Sequence, residues 1–106
     1  MNEVDRTVLA RLRALLGERV PLYKLFLFGS RARGDADLDS DMDVLVVVDG
    51  EFAWDTQEAV SHCAWEAGFE HHVVVTTVVV GRDDWERGPS HYSLLAQAVR
   101  EEGISV

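Results

Sequence analysis

The order of apolar patterns along the chain predicts an α/β (α+β) architecture, one small mixed β-sheet flanked by helices. Three observations carry this. An opening segment repeats apolar residues at helical spacing. Two short, Val- and aromatic-rich runs, Leu22 to Phe28 and Met42 to Val48, have strand length. Helical and strand-like segments then alternate to the end.

In the first segment Val4, Val8, Leu12, Leu15 and Leu16 share a face, Asn2 is placed to cap, Gly17 lies near the end and Pro21 stops the run. Met42 to Val48 is Val-rich enough to be buried on both faces. Asp55-Thr56-Gln57-Glu58 matches a capping box with Asp at the cap. The helix it opens puts Thr56, Ala59, Val60, Cys63 and Ala67 inward, with Gly68 after them. His71 to Val80 is the longest strand-like run, and residues 83 to 87 form a short helical turn. Ser90 is expected to cap a last helix with Leu94, Leu95, Ala98 and Val99 inward and Gly103 at its end.

The 106 residues are expected to form a single domain, 1–106, which buries roughly two thirds of its unfolded surface. The apolar content of 47% argues against disorder. The acidic start, Met1 to Asp5, is unlike a signal peptide, and no apolar run approaches the roughly 20 residues that span a bilayer, so no membrane association is expected. With one cysteine, Cys63, no internal disulfide can form, and a cytoplasmic location is expected. Cys63 itself reads as a buried thiol rather than a nucleophile. Nineteen acids against ten basic residues, net −9, argue against bulk nucleic-acid binding, which depends on Lys and Arg neutralising phosphates.

The chemistry is concentrated between Phe28 and Val47. Gly29 permits a tight turn and close backbone approach, and Ser30 is expected to cap a short helix, Arg31-Ala32-Arg33, whose N–H groups and arginines suit a triphosphate. Asp41 and Asp43 are two apart at a strand's opening. Their side chains are expected on one face, Cα atoms about 6.6 Å apart. Two such carboxylates can share a Mg²⁺ that also takes phosphate oxygens, and a second Mg²⁺ about 3.5–4 Å away would complete a two-metal arrangement.

Other readings of the same residues are weaker. Asp35, Asp37 and Asp39 match the first ligands of a calcium loop, but the sixth position is Ser40 rather than Gly and the twelfth is Val46 rather than Glu. Arg33-Gly34-Asp35 is too short to support an adhesion role. A merely solvated acidic loop accounts for the five aspartates among residues 35–43, but not for the Gly-Ser turn and arginines beside them. Trp54, Trp65 and Trp85 are expected to pack in a core or interface; Trp65 lies off its helix's inward stripe and hints at a partner surface.

Gly29-Ser30-Arg31-Ala32-Arg33-Gly34, followed by Asp39-Ser40-Asp41-Met42-Asp43-Val44-Leu45-Val46, resembles the signature of the minimal nucleotidyltransferases (MNT type) of the DNA polymerase β superfamily. The match is densest over Leu25 to Val47. The resemblance implies a polymerase-β-like nucleotidyltransferase fold and Mg²⁺-dependent transfer of a nucleoside monophosphate, AMP from ATP in the first instance, to a hydroxyl. By carry-over Gly29 and Ser30, with Arg31 and Arg33 beside them, would hold the nucleotide, and Asp41 and Asp43 would be the catalytic, metal-binding pair. A protein acceptor such as a HEPN-type toxin is implied, since such proteins occur beside these toxins and can neutralise them by adding AMP. Homo-oligomerisation is left open.

Two departures stand out. Asp37 occupies a position where many relatives carry a basic residue. Relatives with full activity also place a third carboxylate on a later strand as general base, and here the expected register puts Thr76 or Val78 there. Glu70 and His72 are the nearby groups able to accept a proton. The alternative is therefore a non-catalytic, antitoxin-like binding module with a degenerate nucleotide site.

Overall fold

The computed structural model describes residues 1–37, 39–50 and 53–106. Helix α1 (Glu3–Arg19) opens at Asn2, whose side chain accepts from the Asp5 N–H at 2.8 Å. Strand β1 (Leu22–Phe28) follows, then the single-turn helix α2 (Ser30–Arg33) and strand β2 (Met42–Val48). Helix α3 (Trp54–Phe69), strand β3 (Val75–Gly81), helix α4 (Arg82–Arg87), a 3-10 turn (Pro89–Tyr92), helix α5 (Leu94–Glu102) and a two-residue strand β4 (Ile104–Ser105) complete the chain.

The sheet is mixed, in the order β3-β2-β1-β4. β1 runs antiparallel to β2 and β4, and β2 runs parallel to β3. Alternation along β2 sends Met42, Val44, Val46 and Val48 into one core with α1 and α3. Leu45 and Val47 enter a second core with Trp85 of α4 and Ala96 and Val99 of α5. Helices on both faces explain why β2 lacks a polar alternation, as its valine run predicts.

Several local expectations need correcting. Asp55 is not the cap of α3: the helix opens two residues earlier, with Ala53 at the cap and Asp55 in the first turn. An acid serves the helix N-terminus from either position, so sequence does not separate the two. The strand expected from His71 begins only at Val75. The chain leaves α3 by folding back, with the N–H groups of His71 and Val73 donating to Gly68 O and that of His72 to Phe69 O. Gly68 makes this return possible, because a β-carbon there would collide with the Val73 carbonyl.

The last helix is capped by Ser93, which accepts from Ala96 N–H at 3.1 Å, and not by Ser90, which lies in the 3-10 turn. Leu94, expected inward, is exposed, and Ala96 is buried beside the expected Val99. Beyond Gly103 the chain adds β4, a strand too short to show a sequence pattern.

Candidate nucleotide site

The site is built where β1 ends against the start of β2. Phe28 pairs with Asp43 across the antiparallel ladder, so the turn after β1 is delivered beside the Asp43 carboxylate. At that turn Gly29 adopts φ 75°, ψ −158°, a backbone region open essentially to glycine. A β-carbon on Gly29 would fall within 3.0 Å of Asp43 Oδ2, so the absence of a side chain is what lets carboxylate and turn meet. Gly29, not Ser30, occupies the cap of α2, and its carbonyl receives the N–H groups of Ala32 and Arg33, both at 3.1 Å. Ser30 is the first helical residue. A single turn has little macrodipole, so attraction for an anion here rests on individual donors.

Asp43 is half-buried, and its Oδ1 accepts the Thr76 hydroxyl at 2.6 Å. Asp43 and Thr76 are direct partners in the parallel ladder, whereas Val78 pairs with Leu45. Thr76, not Val78, thus stands across from Asp43. Asp41 lies one residue before β2 and is exposed. Glu70 caps the C-terminus of α3 and His72 sits in the turn before β3, so neither lies on the strand beside Asp43.

Both arginines of the motif have partners within the chain. Arg31 is buried, with Nη1 donating to Asp5 Oδ1 at 2.5 Å and Nε and Nη2 donating to the Ser40 carbonyl at 3.0 and 2.6 Å. It ties α2 to the first turn of α1 and to the segment leading into β2. Arg33 is exposed and bridges Glu102 at 3.2 Å and Asp35 at 3.3 Å; hydrogen bonds to these carboxylates, Glu102 foremost, raise its basicity. The Asp5–Arg31 brace was missed by sequence reasoning. Asp5 lies one residue after Val4 in a helix of ordinary composition, and nothing local marks it as buried.

Elsewhere Cys63 is buried, and burial pushes its thiol up, consistent with an inert side chain. Trp85 is buried against Phe26, whereas Trp54 and Trp65 are exposed. Among the described residues no helix is long and apolar enough to cross a membrane, and no group of three or more His, Cys, Asp or Glu side chains could hold a metal ion.

A two-stranded turn-and-carboxylate arrangement on a mixed sheet with helices on both faces defines a nucleotidyltransferase fold. The chain belongs to the nucleotidyltransferase-domain family, whose model matches residues 9–87. Solved structures share its fold at low identity. A chain from a toxin–antitoxin crystal structure with AMP-PNP aligns with TM-score 0.65 at 19% identity, covering 91% of this chain and 69% of that one. A Sulfolobus solfataricus protein assigned as a nucleotidyltransferase aligns with TM-score 0.55 at 21% identity, covering 99% and 86%. A chain from the complex of tri-AMPylated Shewanella oneidensis HEPN toxin with MNT antitoxin aligns with TM-score 0.57 at 16% identity, covering 96% and 70%. Among curated proteins no relative matches the sequence.

Proposed function

We propose that this protein transfers a nucleoside monophosphate, AMP from ATP in the first instance, to a hydroxyl on a protein partner such as a HEPN-type toxin. The observation that carries the reading is the close packing of Gly29 on Asp43, which brings the post-β1 turn and a β2 carboxylate to one place. In the reaction the acceptor hydroxyl attacks the α-phosphorus, a new phosphodiester oxygen bond forms, and pyrophosphate leaves. Gly29 and Ser30 line the turn where the triphosphate would lie. Asp41 and Asp43 are hard oxygen donors of the kind Mg²⁺ takes alongside substrate phosphates, so the donor set fits that ion. When bound there, Mg²⁺ neutralises developing phosphate charge.

Family membership and the recurrence of toxin–antitoxin complexes among the structural relatives support the reading. So does the net charge of −9, which disfavours free nucleic acid as acceptor.

Thr76 favours a second reading. A threonine hydroxyl facing Asp43 cannot act as general base at neutral pH, which suits a module that binds a partner and uses nucleotide weakly. Phosphoryl transfer draws mostly on positioning and electrostatics, so two carboxylates can still suffice. Incubation of the purified protein with Mg²⁺, α-labelled ATP and its co-expressed partner separates the two. Label on the partner, lost in Asp43→Asn, supports transfer; an unlabelled but tightly held partner supports the binding module.

A further inference from the structure

The outward side of α3 does not look like the solvent face of a helix. Its inner side buries Val60, Cys63, Ala64, Ala67 and Gly68, so the opposite side should be polar. Instead Trp65 and Phe69, one helical turn apart, are 61% and 62% exposed, with ring centroids 4.9 Å apart. Facing them from the segment before β3 is Val74, 62% exposed. Together with Ser61, His72 and Val73 these residues line a groove of about 400 Å³. Such a volume admits one or two large apolar side chains.

Two backbone features shape the groove. Gly68 lets residues 70–74 fold back to form the second wall, since any side chain there would strike the Val73 carbonyl. His72, at the rim, is held at φ 55°, a left-handed conformation that non-glycine residues rarely adopt. Beside this wall Trp65 and Phe69 stand exposed to water, and an exposed apolar patch of this kind marks an interaction surface.

Charge selects the occupant. Asp55 and Glu58 are exposed on the turns of α3 leading to Trp65, and exposed Glu70 follows Phe69. A second copy of this chain, at −9, would bring the same acids face to face in a two-fold contact. We propose that the groove between α3 and the start of β3 seats an amphipathic helix of a partner protein, its apolar stripe on Trp65, Phe69 and Val74 and its Lys or Arg flanks against Asp55, Glu58 and Glu70. This is helix-in-groove recognition, anchored by side chains at i, i+3/i+4 and i+7. The interface is independent of nucleotidyl transfer. Val74 precedes Thr76 by two residues, so a helix seated there lies at the Asp43 end of the sheet.

The test uses the full chain and three labelled helical peptides of about 18 residues, long enough to hold helix on a surface. One has a Leu stripe flanked by Lys, one the same stripe flanked by Glu, and one Lys flanks with Ala in the stripe. Fluorescence anisotropy in about 0.15 M salt suppresses purely long-range attraction. The Lys/Leu peptide is expected to bind, with the other two at least about tenfold weaker. The double variant Trp65→Ser/Phe69→Ser should lose about tenfold or more, as aromatic anchors do, while circular dichroism stays unchanged because both rings are exposed. Glu58→Lys/Glu70→Lys, remote from the core, should weaken the same peptide and keeps the test open should the aromatic variant misfold. Equal binding by the Ala-stripe or Glu-flanked peptide, or no binding by any, overturns the proposal. So does sedimentation showing a wild-type dimer that the aromatic variant converts to monomer, which would make the occupant a second copy.

Discussion

The Gly29 backbone and the Asp43 carboxylate share a space in which no side-chain carbon would fit. Two penalties therefore meet in Gly29→Ala. Alanine in a region open essentially to glycine costs of order 1–3 kcal/mol, and its methyl group must displace the Asp43 carboxylate or the turn. A lower thermal midpoint is expected, together with a loss of Mg²⁺-dependent transfer of about a hundredfold, the scale for a misplacement near 1 Å. Retained transfer in a destabilised variant would separate the turn from the chemistry.

Thr76 offers a test of whether Asp43 faces a cation. Thr76→Val removes one hydrogen bond to Asp43 and should cost about 0.5–1.5 kcal/mol. Thr76→Asp instead sets a second carboxylate where the hydroxyl now lies 2.6 Å from Asp43 Oδ1. Without divalent metal the two must repel or share a proton, and the melting point falls below wild type. With Mg²⁺ the loss should be recovered, by about 2.7 kcal/mol at a hundredfold excess over Kd, and transfer to the partner should rise. A melting point for Thr76→Asp indifferent to Mg²⁺ would argue that no ion binds beside Asp43.

What the sequence discloses divides along physical lines. β1, β2 and α1 follow from apolar periodicity because β2 is buried nearly throughout, β1 buries Leu25 and Leu27, and α1 buries Val8, Leu12 and Leu16, although Val4 on the same stripe is exposed; the Gly29–Asp43 meeting follows from a motif compressed into fifteen residues. The start of β3 was hidden because Val73 and Val74 have strand propensity, while the backbone return at Gly68 keeps them in the irregular segment that precedes the strand. β4 owes its existence to the free edge of β1 and not to its own composition. The partner of Arg31 was least legible: the motif places its charge next to the Gly29 turn, and only the tertiary approach of α1 reveals its ion pair with Asp5.

That ion pair should behave as a brace. Both side chains are buried, at 4% and 6% exposure, so removing one partner leaves a charge stranded. Arg31→Met and Asp5→Leu are each expected to cost about 3–5 kcal/mol, whereas the double variant, which buries no lone charge, should cost clearly less than their sum. A double-mutant cycle by urea denaturation measures the coupling. Additive losses would show that Arg31 is held by its bonds to the Ser40 carbonyl and hardly by Asp5.

The second helical layer carries a pH dependence of its own. Asp84 accepts from the Ser90 hydroxyl at 2.5 Å and from the Ser90 N–H at 3.0 Å, and these bonds, the hydroxyl first, hold its carboxyl below the usual carboxylate range. They close the turn between α4, which packs Trp85 on Phe26, and the segment that Ser93 converts into α5. A carboxylate with a lowered folded pKa contributes stability that is fully present above its unfolded value near 3.8 and is lost as pH falls through the folded value. Wild type should therefore exceed Asp84→Asn in urea midpoint by a constant margin at neutral pH, and the margin should shrink only in strong acid. Ser90→Ala removes the stronger of the two donors, so the Asp84 carboxyl titrates closer to the ordinary range: its contribution to stability is smaller at neutral pH, and the loss, which still begins near the unfolded value of 3.8, is complete at a higher pH than in wild type. Parallel midpoint curves for all three proteins from neutral to acid pH would mean that the turn holds without the carboxylate charge, and that the helical layer over the Asp43 face of the sheet is secured by Trp85 packing alone.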